Sequence, residues 1–505
     1  MNPALQLSSP TFARPADAGS RGMVLALLVA AALPVLPVLN AGPFLSLAVR
    51  LEALALWVVC LAPGWVYAAT APGRRAPIPF LPVFGVVYGA YFALPPALGL
   101  TNLGGFGSYV RPEDYAAAVD AAVLGWAGVL VGLRLSRAVL PDGLPVVPAL
   151  RLDVALAWAR RLAVVGSLVD LLLVTTVVPV VLGSLAVFVL TVGRFGLALG
   201  VLLVARGHGR RSDVLVLAVC MAVTAVALLS SGILSGLLFL GVTVGFGLWA
   251  GRGVLRRREV VAALALVLTV VTLRGVIPEF RDIAWYSGDR YSLPDRIALM
   301  ASLVEERIDS EGEEADLLGT GAEQVGKRSA AADLLADVIQ RTPADVPYWR
   351  GETYVSLVGA LVPRLLWPDK PEKNLGQRFG HRYSYLDVHD TGTSINLPWL
   401  VEAYANFGMP FVPVLGAVVG LILGLLGWAL NRPGQGVLTT ALGIALLVPL
   451  YGMENDFSLI FGGLILSGAA LAVVARVLRH AARPEGGRWQ PPVRYGVPSG
   501  RPGLV

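Results

Sequence analysis

The segment GQRFGHRYSYLDVHD ends at Asp390 and crowds Arg378, His381, Arg382, Asp387, His389 and Asp390 together. It holds two of the chain's four histidines. Guanidinium forks bind phosphate in bidentate fashion and keep their charge at any working pH. Imidazole and carboxylate groups take protons from hydroxyls. Arginines beside such bases suit a substrate that carries both phosphate and hydroxyl groups. A few residues on, TSINLPWLVEAYANFG (Thr393–Gly408) places Asn396, Glu402, Tyr404 and Asn406 in an otherwise apolar stretch. Glu402 and Asn406 are four apart and share one face if the segment is helical. Asn396 precedes Pro398, in the turn expected to start that helix. The stripe either looks into a polar cavity or forms a cap with one hydrogen-bonded pair.

Four groups qualify as general bases: His381, His389, Asp390 and Glu402. The candidate anion binders are Arg364, Arg378 and Arg382, joined by Arg274 and Arg281. Each also has an ordinary reading: Arg364 can snorkel to headgroups, and Arg378 and Arg382 can pair locally. His381 and His389 can be surface histidines, Glu402 a structural bridge, and Tyr404 an interface residue. Glu454, in the polar turn MENDFS (Met453–Ser458), can line the same site or serve the turn alone. No Asp-x-Asp motif offers a metal site, and the acidic run Glu305–Asp316 lacks calcium-loop spacing.

The elements that must position these residues are membrane helices. Of the 505 residues, 56% are hydrophobic and 15% charged, and the mean hydropathy is +0.69. Soluble domains carry about a quarter charged residues. Apolar runs of spanning length recur, and their count gives about twelve transmembrane helices in an all-α polytopic protein. A cytoplasmic tail (1–22) precedes helices one to nine (23–276), with the first read as a signal anchor. One large loop (277–408) follows, then helices ten to twelve (409–475) and a basic, Pro/Gly-rich disordered tail (476–505). Every second short loop is rich in arginine, so the positive-inside rule puts both termini in the cytoplasm and the large loop outside. That loop has 13 Lys and Arg against 21 Asp and Glu, a net of −8 in a chain of net +6. Cys60 and Cys220 fall in apolar runs and read as packing residues.

Within the loop, the part up to about residue 350 is polar, with the acidic run read as a solvated helix or mobile segment. Residues 353–367 are apolar-rich but too short to span, which predicts a re-entrant or interfacial helix ended by Pro368. Trp349 and Trp367 flank it as interface anchors, and Arg364 lies inside it. In the membrane, Asp170 and Arg194 are equally far from a turn near Gly183, which predicts a structural ion pair between consecutive helices. The rival reading puts Arg194 on a lipid-phosphate path.

LVPRLLWPDKPE (Leu361–Glu372) followed by TGTSINLPWLVEAYANFG (Thr391–Gly408) resembles the oligosaccharide repeat-unit polymerases, the Wzy-type O-antigen and exopolysaccharide polymerases. The resemblance covers about fifty residues closely and the rest in topology. It implies a fold of the GT-C-like polymerase and ligase kind. It implies an enzyme that moves a growing glycan from polyprenyl pyrophosphate onto the next lipid-linked repeat unit, with inversion and without a metal or other cofactor. It also implies Arg364, Arg378, Arg382, Arg274 and Arg281 as pyrophosphate binders. The same resemblance points to Trp367, Asn396, Tyr404, Asn406 and Glu454 as glycan contacts. The expected partners are lipid-linked glycans, the bilayer of the cytoplasmic membrane, and a flippase and chain-length regulator of the same pathway, with no nucleic acid. A ligase that hands the glycan to another acceptor and a flippase of lipid-linked glycan are the alternatives. The one-sided placement of the polar cluster speaks against a flippase.

Overall fold

The computed structural model describes residues 16–40, 44–71, 74–101, 109–141, 150–175, 180–286, 291–309, 317–329, 331–361, 367, 374–432 and 435–482. These residues are helical, with no strand among them. In chain order the helices are α1 (Ala16–Ala32), α2 (Val35–Asn40), α3 (Leu47–Ala69), α4 (Phe80–Phe92), α5 (Leu94–Ala97), α6 (Pro112–Val139) and α7 (Leu152–Thr175). Then come α8 (Val180–Ala205), α9 (Arg211–Ser230), α10 (Leu234–Arg252), α11 (Arg257–Arg274), α12 (Ile277–Tyr286), α13 (Leu293–Asp309) and α14 (Leu317–Ser329). The last are α15 (Ala331–Arg341), α16 (Val355–Leu361), α17 (Leu375–Arg382), α18 (Trp399–Phe407), α19 (Phe411–Leu430), α20 (Val437–Leu447) and α21 (Gly463–Ala481). Among the described residues, eight helical segments are long and apolar enough to cross a membrane. A ninth arises if α11 and α12, bent by 63° at their junction, form one span. The apolar α4 and the α20 segment are shorter. Cys60 and Cys220 are buried free thiols.

Local chemistry sets the ends of these helices. Pro112 opens α6, with Glu113 and Asp114 in the first turn facing the positive end of the helix dipole. Asp213 caps α9 by accepting the Arg210 amide at 2.6 Å. Gly253, at φ 78°, closes α10 in the left-handed conformation that glycine adopts without strain.

The centre of the fold is a glycine seam. Gly128 and Gly132 on α6 face Pro413 and Ala417 on α19, while Gly416 and Gly420 face Gly125 and Val129. A Cβ at any of these four positions would overlap the opposite backbone. The four-residue spacing keeps the small residues on one face, so the two backbones touch. Against this pair lies the long segment between α12 and α19. Residues of α15, α17 and α18 share one buried core with α3, α4, α6 and α19. Tyr115 on α6 donates to Asp333 on α15 at 2.9 Å. The loop is therefore a packed cap on the bundle. The C-terminal part of the acidic run lies outside the described residues; its beginning ends α13, whose Met300 and Leu303 are buried.

The intramembrane charges differ from expectation. Asp170 accepts the Thr224 hydroxyl at 3.1 Å and makes no ion pair with Arg194 among the described residues. Both line a cavity of about 20 Å³ between α7, α8, α9 and α10, together with Ser167 and Thr243. Gly166 and Gly193 bring α7 and α8 into backbone contact beside it. That contact fixes the spacing of the two helices beside the cavity.

Candidate functional site

Residues 342–361 and 374–408 build the site on top of the glycine seam. Trp349 sits in a turn pinned to the C-terminal half of α18: its amide donates to the Ala405 carbonyl at 3.0 Å, and the Arg350 amide to the Asn406 carbonyl at 3.2 Å. The Asn406 side chain completes the pin. Its Oδ1 accepts from the Gly351 amide at 2.8 Å, and its Nδ2 donates to Thr353 Oγ1 and to the Glu402 carbonyl, each at 2.8 Å. Asn406 is fully buried, so its carboxamide serves the turn.

Over the Trp349 ring lie two guanidinium groups, Arg382 at 4.3 Å and Arg378 at 5.3 Å from the ring centroid. The ring face is electron-rich and attracts cations. Both arginines come from α17, where Arg378, His381 and Arg382 follow one another at i, i+3 and i+4 on one face. The cations in its last turn suit the negative end of the helix dipole. The helix ends at Arg382, and Ser384, two residues on, takes a φ of 53° as the chain turns away. Arg382 also donates to the Pro347 carbonyl at 2.8 Å, and Arg378 forms an ion pair with Glu352. The structure thus brings Arg378, His381 and Arg382 together, half-exposed, at one end of the bundle.

Other candidates are placed elsewhere or otherwise occupied. Asp390 accepts the amides of Gly392 and Thr393 at 2.9 and 2.8 Å. The Thr393 hydroxyl and then these amides hold its carboxyl below the usual carboxylate range, with His381 adding to the effect. That favours a fixed turn over proton acceptance. His389 is exposed, and its amide donates to Asp387 at 2.8 Å. Asn396 is exposed. Arg281 donates to the Gly232 carbonyl at 2.9 Å and stacks on Trp285 at 4.6 Å. It and Arg274 belong with α10 to α13, where a separate buried cluster forms around Phe280. Trp367 is 41% exposed. Arg364 and Pro368 lie outside the described residues; the segment before them begins as a short 3-10 turn, Glu352–Tyr354, followed by α16.

Glu402 is the deepest titratable group of the site. It is fully buried, and its Oε2 accepts the Phe457 amide at 2.7 Å. Among the described residues its Oε1 has no well-formed partner, and neither do the buried hydroxyls of Tyr354 and Ser458. Burial pushes the Glu402 carboxyl up to about 8; the Thr353 hydroxyl and the Phe457 amide oppose the rise, and Asp456 adds to it. Burial first, and the Glu402 charge second, raise the Tyr354 phenol. Phe457 precedes a π-helical turn, Ser458–Gly462, at the head of the last span. Glu402 therefore ties α18 to that turn. The residues just before it include Glu454, half-buried, and Met453, whose sulfur accepts the Trp399 indole N–H at 3.3 Å. Tyr404 is 9% exposed, and its hydroxyl donates weakly to the Thr342 carbonyl at 3.5 Å. Burial pushes its phenol up to about 12.

Sequence reasoning took Trp349 as an interface anchor and passed over Arg350 and Glu352. The signal available was the Arg-Gly pair after a tryptophan, which marks a tight turn displaying a cation. The support beneath α17 was also missed: Arg341 donates to the Tyr383 carbonyl at 2.6 Å, and Tyr385 donates to the buried Asp337.

No family model, curated protein or solved structure matches the chain.

Proposed function

We propose that the chain is a membrane glycosyltransferase that polymerises polyprenyl-pyrophosphate-linked oligosaccharide repeat units on the outer face of the cytoplasmic membrane. The observation that carries this reading is the face of α17, where Arg378, His381 and Arg382 share one surface and both guanidinium groups rest on Trp349. The sequence resemblance around Leu361–Glu372 and Thr391–Gly408 supports it. In this reading the bundle has twelve spans of the GT-C-like kind, counting α4, α7, the α20 segment and the bent α11–α12 pair. Both termini are cytoplasmic, and a flippase and a chain-length regulator of the same pathway are partners.

The chemistry is a single displacement. The acceptor hydroxyl oxygen attacks the anomeric carbon of the donor glycan, and the bond from that carbon to the diphosphate oxygen breaks. The electron pair leaves with the diphosphate, and the hydroxyl proton passes to His381. Arginines placed where the negative charge grows stabilise the leaving group. Displacement from the opposite side inverts the anomeric centre. Glu402, buried and tied to Phe457, positions α18 and does not meet the acceptor.

The test uses purified protein in nanodiscs with lipid-linked repeat units and EDTA. Wild type is expected to give a ladder of longer lipid-linked glycans. His381→Ala should slow it by roughly 10²–10⁴, the usual worth of a positioned base. Transfer to an acceptor other than a repeat unit would move the reading to a ligase. Passage of labelled glycan across liposomes with no ladder would replace it by a flippase.

A further inference from the structure

The cavity between α7, α8, α9 and α10 plays no part in the proposed glycosyl transfer. Asp170 on α7 and Arg194 on α8 both line it, with Ser167 on α7, Thr224 on α9 and Thr243 on α10. The three hydroxyl protons are already placed. Ser167 donates to the Ala163 or the Cys220 carbonyl, at 2.9 and 3.1 Å. Thr224 donates to Asp170 at 3.1 Å, and Thr243 to the Phe239 carbonyl at 2.8 Å. Arg194 makes no hydrogen bond or ion pair among the described residues.

The walls therefore offer two kinds of group. The guanidinium can only donate, whereas the carboxylate and the hydroxyl lone pairs can only accept. A cation in this space would meet Arg194, and an anion would meet Asp170 and the oxygen lone pairs. A neutral molecule that both donates and accepts meets neither penalty. The volume, about 20 Å³, selects the smallest such molecule. A buried water needs roughly 10–15 Å³. A phosphate group is too large for the space.

We infer that this cavity is a binding site for one ordered water molecule, which accepts from Arg194 and donates to Asp170 and so joins the two charges as a water-bridged ion pair. Buried waters make about three hydrogen bonds to groups otherwise left unsatisfied. The third here is donated to the hydroxyl oxygen of Ser167 or Thr243. Charges taken out of bulk water need such hydrogen bonds to offset the lost hydration. The bridge supplies them while the contact of Gly166 with Gly193 keeps α7 and α8 at a fixed spacing.

The test uses the full chain in nanodiscs. A cryo-electron microscopy map fine enough to show ordered water should carry one peak within hydrogen-bond distance of both Asp170 and Arg194. A cavity without density, direct contact between the two side chains, or the elongated density of a lipid group overturns the site. Thermal melts give an independent reading. Thr243→Ile adds a carbon to the cavity wall and displaces the water, so it should melt a few degrees lower than Thr243→Val, the same wall without that carbon. In a chain that also carries Asp170→Leu and Arg194→Met there is no charge to bridge, and the same comparison should show no loss. If isoleucine melts as high as valine or higher in the otherwise wild-type chain, the cavity is dry and the site is overturned. An equal loss in both backgrounds is overpacking and overturns it too. Should the charge-free background fail to fold, the map alone decides.

Discussion

The turn around Trp349 and the cavity between α7 and α10 handle charge in opposite ways. At Trp349, cations gather: Arg378 and Arg382 stand over the ring, and the exposed Arg350 follows it in the chain. Water reaches them, so their excess charge is affordable and stays available to an anion. In the membrane cavity one arginine faces one aspartate, and the carboxylate is further engaged by Thr224. The net charge there is zero, which suits a medium where an uncompensated ion is expensive. The first arrangement can recognise a ligand; the second holds helices in register.

Glu402 lies between the two regimes and gives the largest expected effect. It is as buried as a membrane residue but stands beneath the outer site. It escapes the burial problem by keeping its proton. Below its ordinary value of 4.5 the carboxyl is protonated in both folded and unfolded chains. Between 4.5 and about 8 the folded chain retains a proton that the unfolded chain releases. Stability must therefore fall as pH rises across that window, by on the order of 3 to 5 kcal/mol, and level off above it. Thermal melts of wild type and Glu402→Gln from pH 5 to pH 9 check this. The glutamine variant should lose the slope and be the more stable of the two at pH 9. Parallel curves would mean that Glu402 is ionised in the folded chain. Glu402→Ala, which removes the acceptor of the Phe457 amide, should lose about 2 to 4 kcal/mol at acidic pH.

What the sequence revealed divides along the same line. The all-helical, multi-pass class was legible because apolar run length follows directly from the thickness of the bilayer. The grouping of Arg378, His381 and Arg382 was legible too, since helix periodicity puts i, i+3 and i+4 on one face. The stripe of Glu402 and Asn406 was also seen, but not what it faces. Whether that face meets a cavity or the turns at Gly351 and Phe457 depends on contacts between residues more than forty apart in the chain. No local pattern encodes those. The glycine seam of α6 and α19 was written in the sequence as four-residue spacing, and it was overlooked amid 57 glycines. Asp170 and Arg194 were expected to pair and do line one cavity, but Asp170 bonds Thr224 on a third helix, a contact that residue counting along a hairpin does not supply.

A double-mutant cycle sharpens the membrane half of the comparison. Asp170→Asn and Arg194→Gln should each destabilise by about 2 to 3 kcal/mol, since each leaves one charge without its opposite inside the bundle. The double variant should recover about 1 to 2 kcal/mol of the sum. A coupling this modest is what two charges without a direct ion pair allow; a contact pair would couple more strongly. Strict additivity in detergent melts would mean that the two walls do not sense each other and that α7 and α8 are held by their glycine contact alone.

The smallest effect is the most discriminating for the outer half. Trp349 is 4% exposed, and its indole N–H has no hydrogen-bond partner among the described residues. Its contribution is therefore apolar contact plus the attraction of its ring face for two guanidinium groups. Trp349→Phe keeps a ring and forfeits no hydrogen bond, so it should cost about 1 kcal/mol in a thermal melt. Trp349→Ala removes the floor and should cost about 3 kcal/mol. If the ring orients Arg378 and Arg382, pyrophosphate binding should track this order, nearly intact in phenylalanine and weak in alanine. Equal binding in both variants would show that α17 holds its arginines without the tryptophan, and the outer cluster would then be a property of one helix face alone.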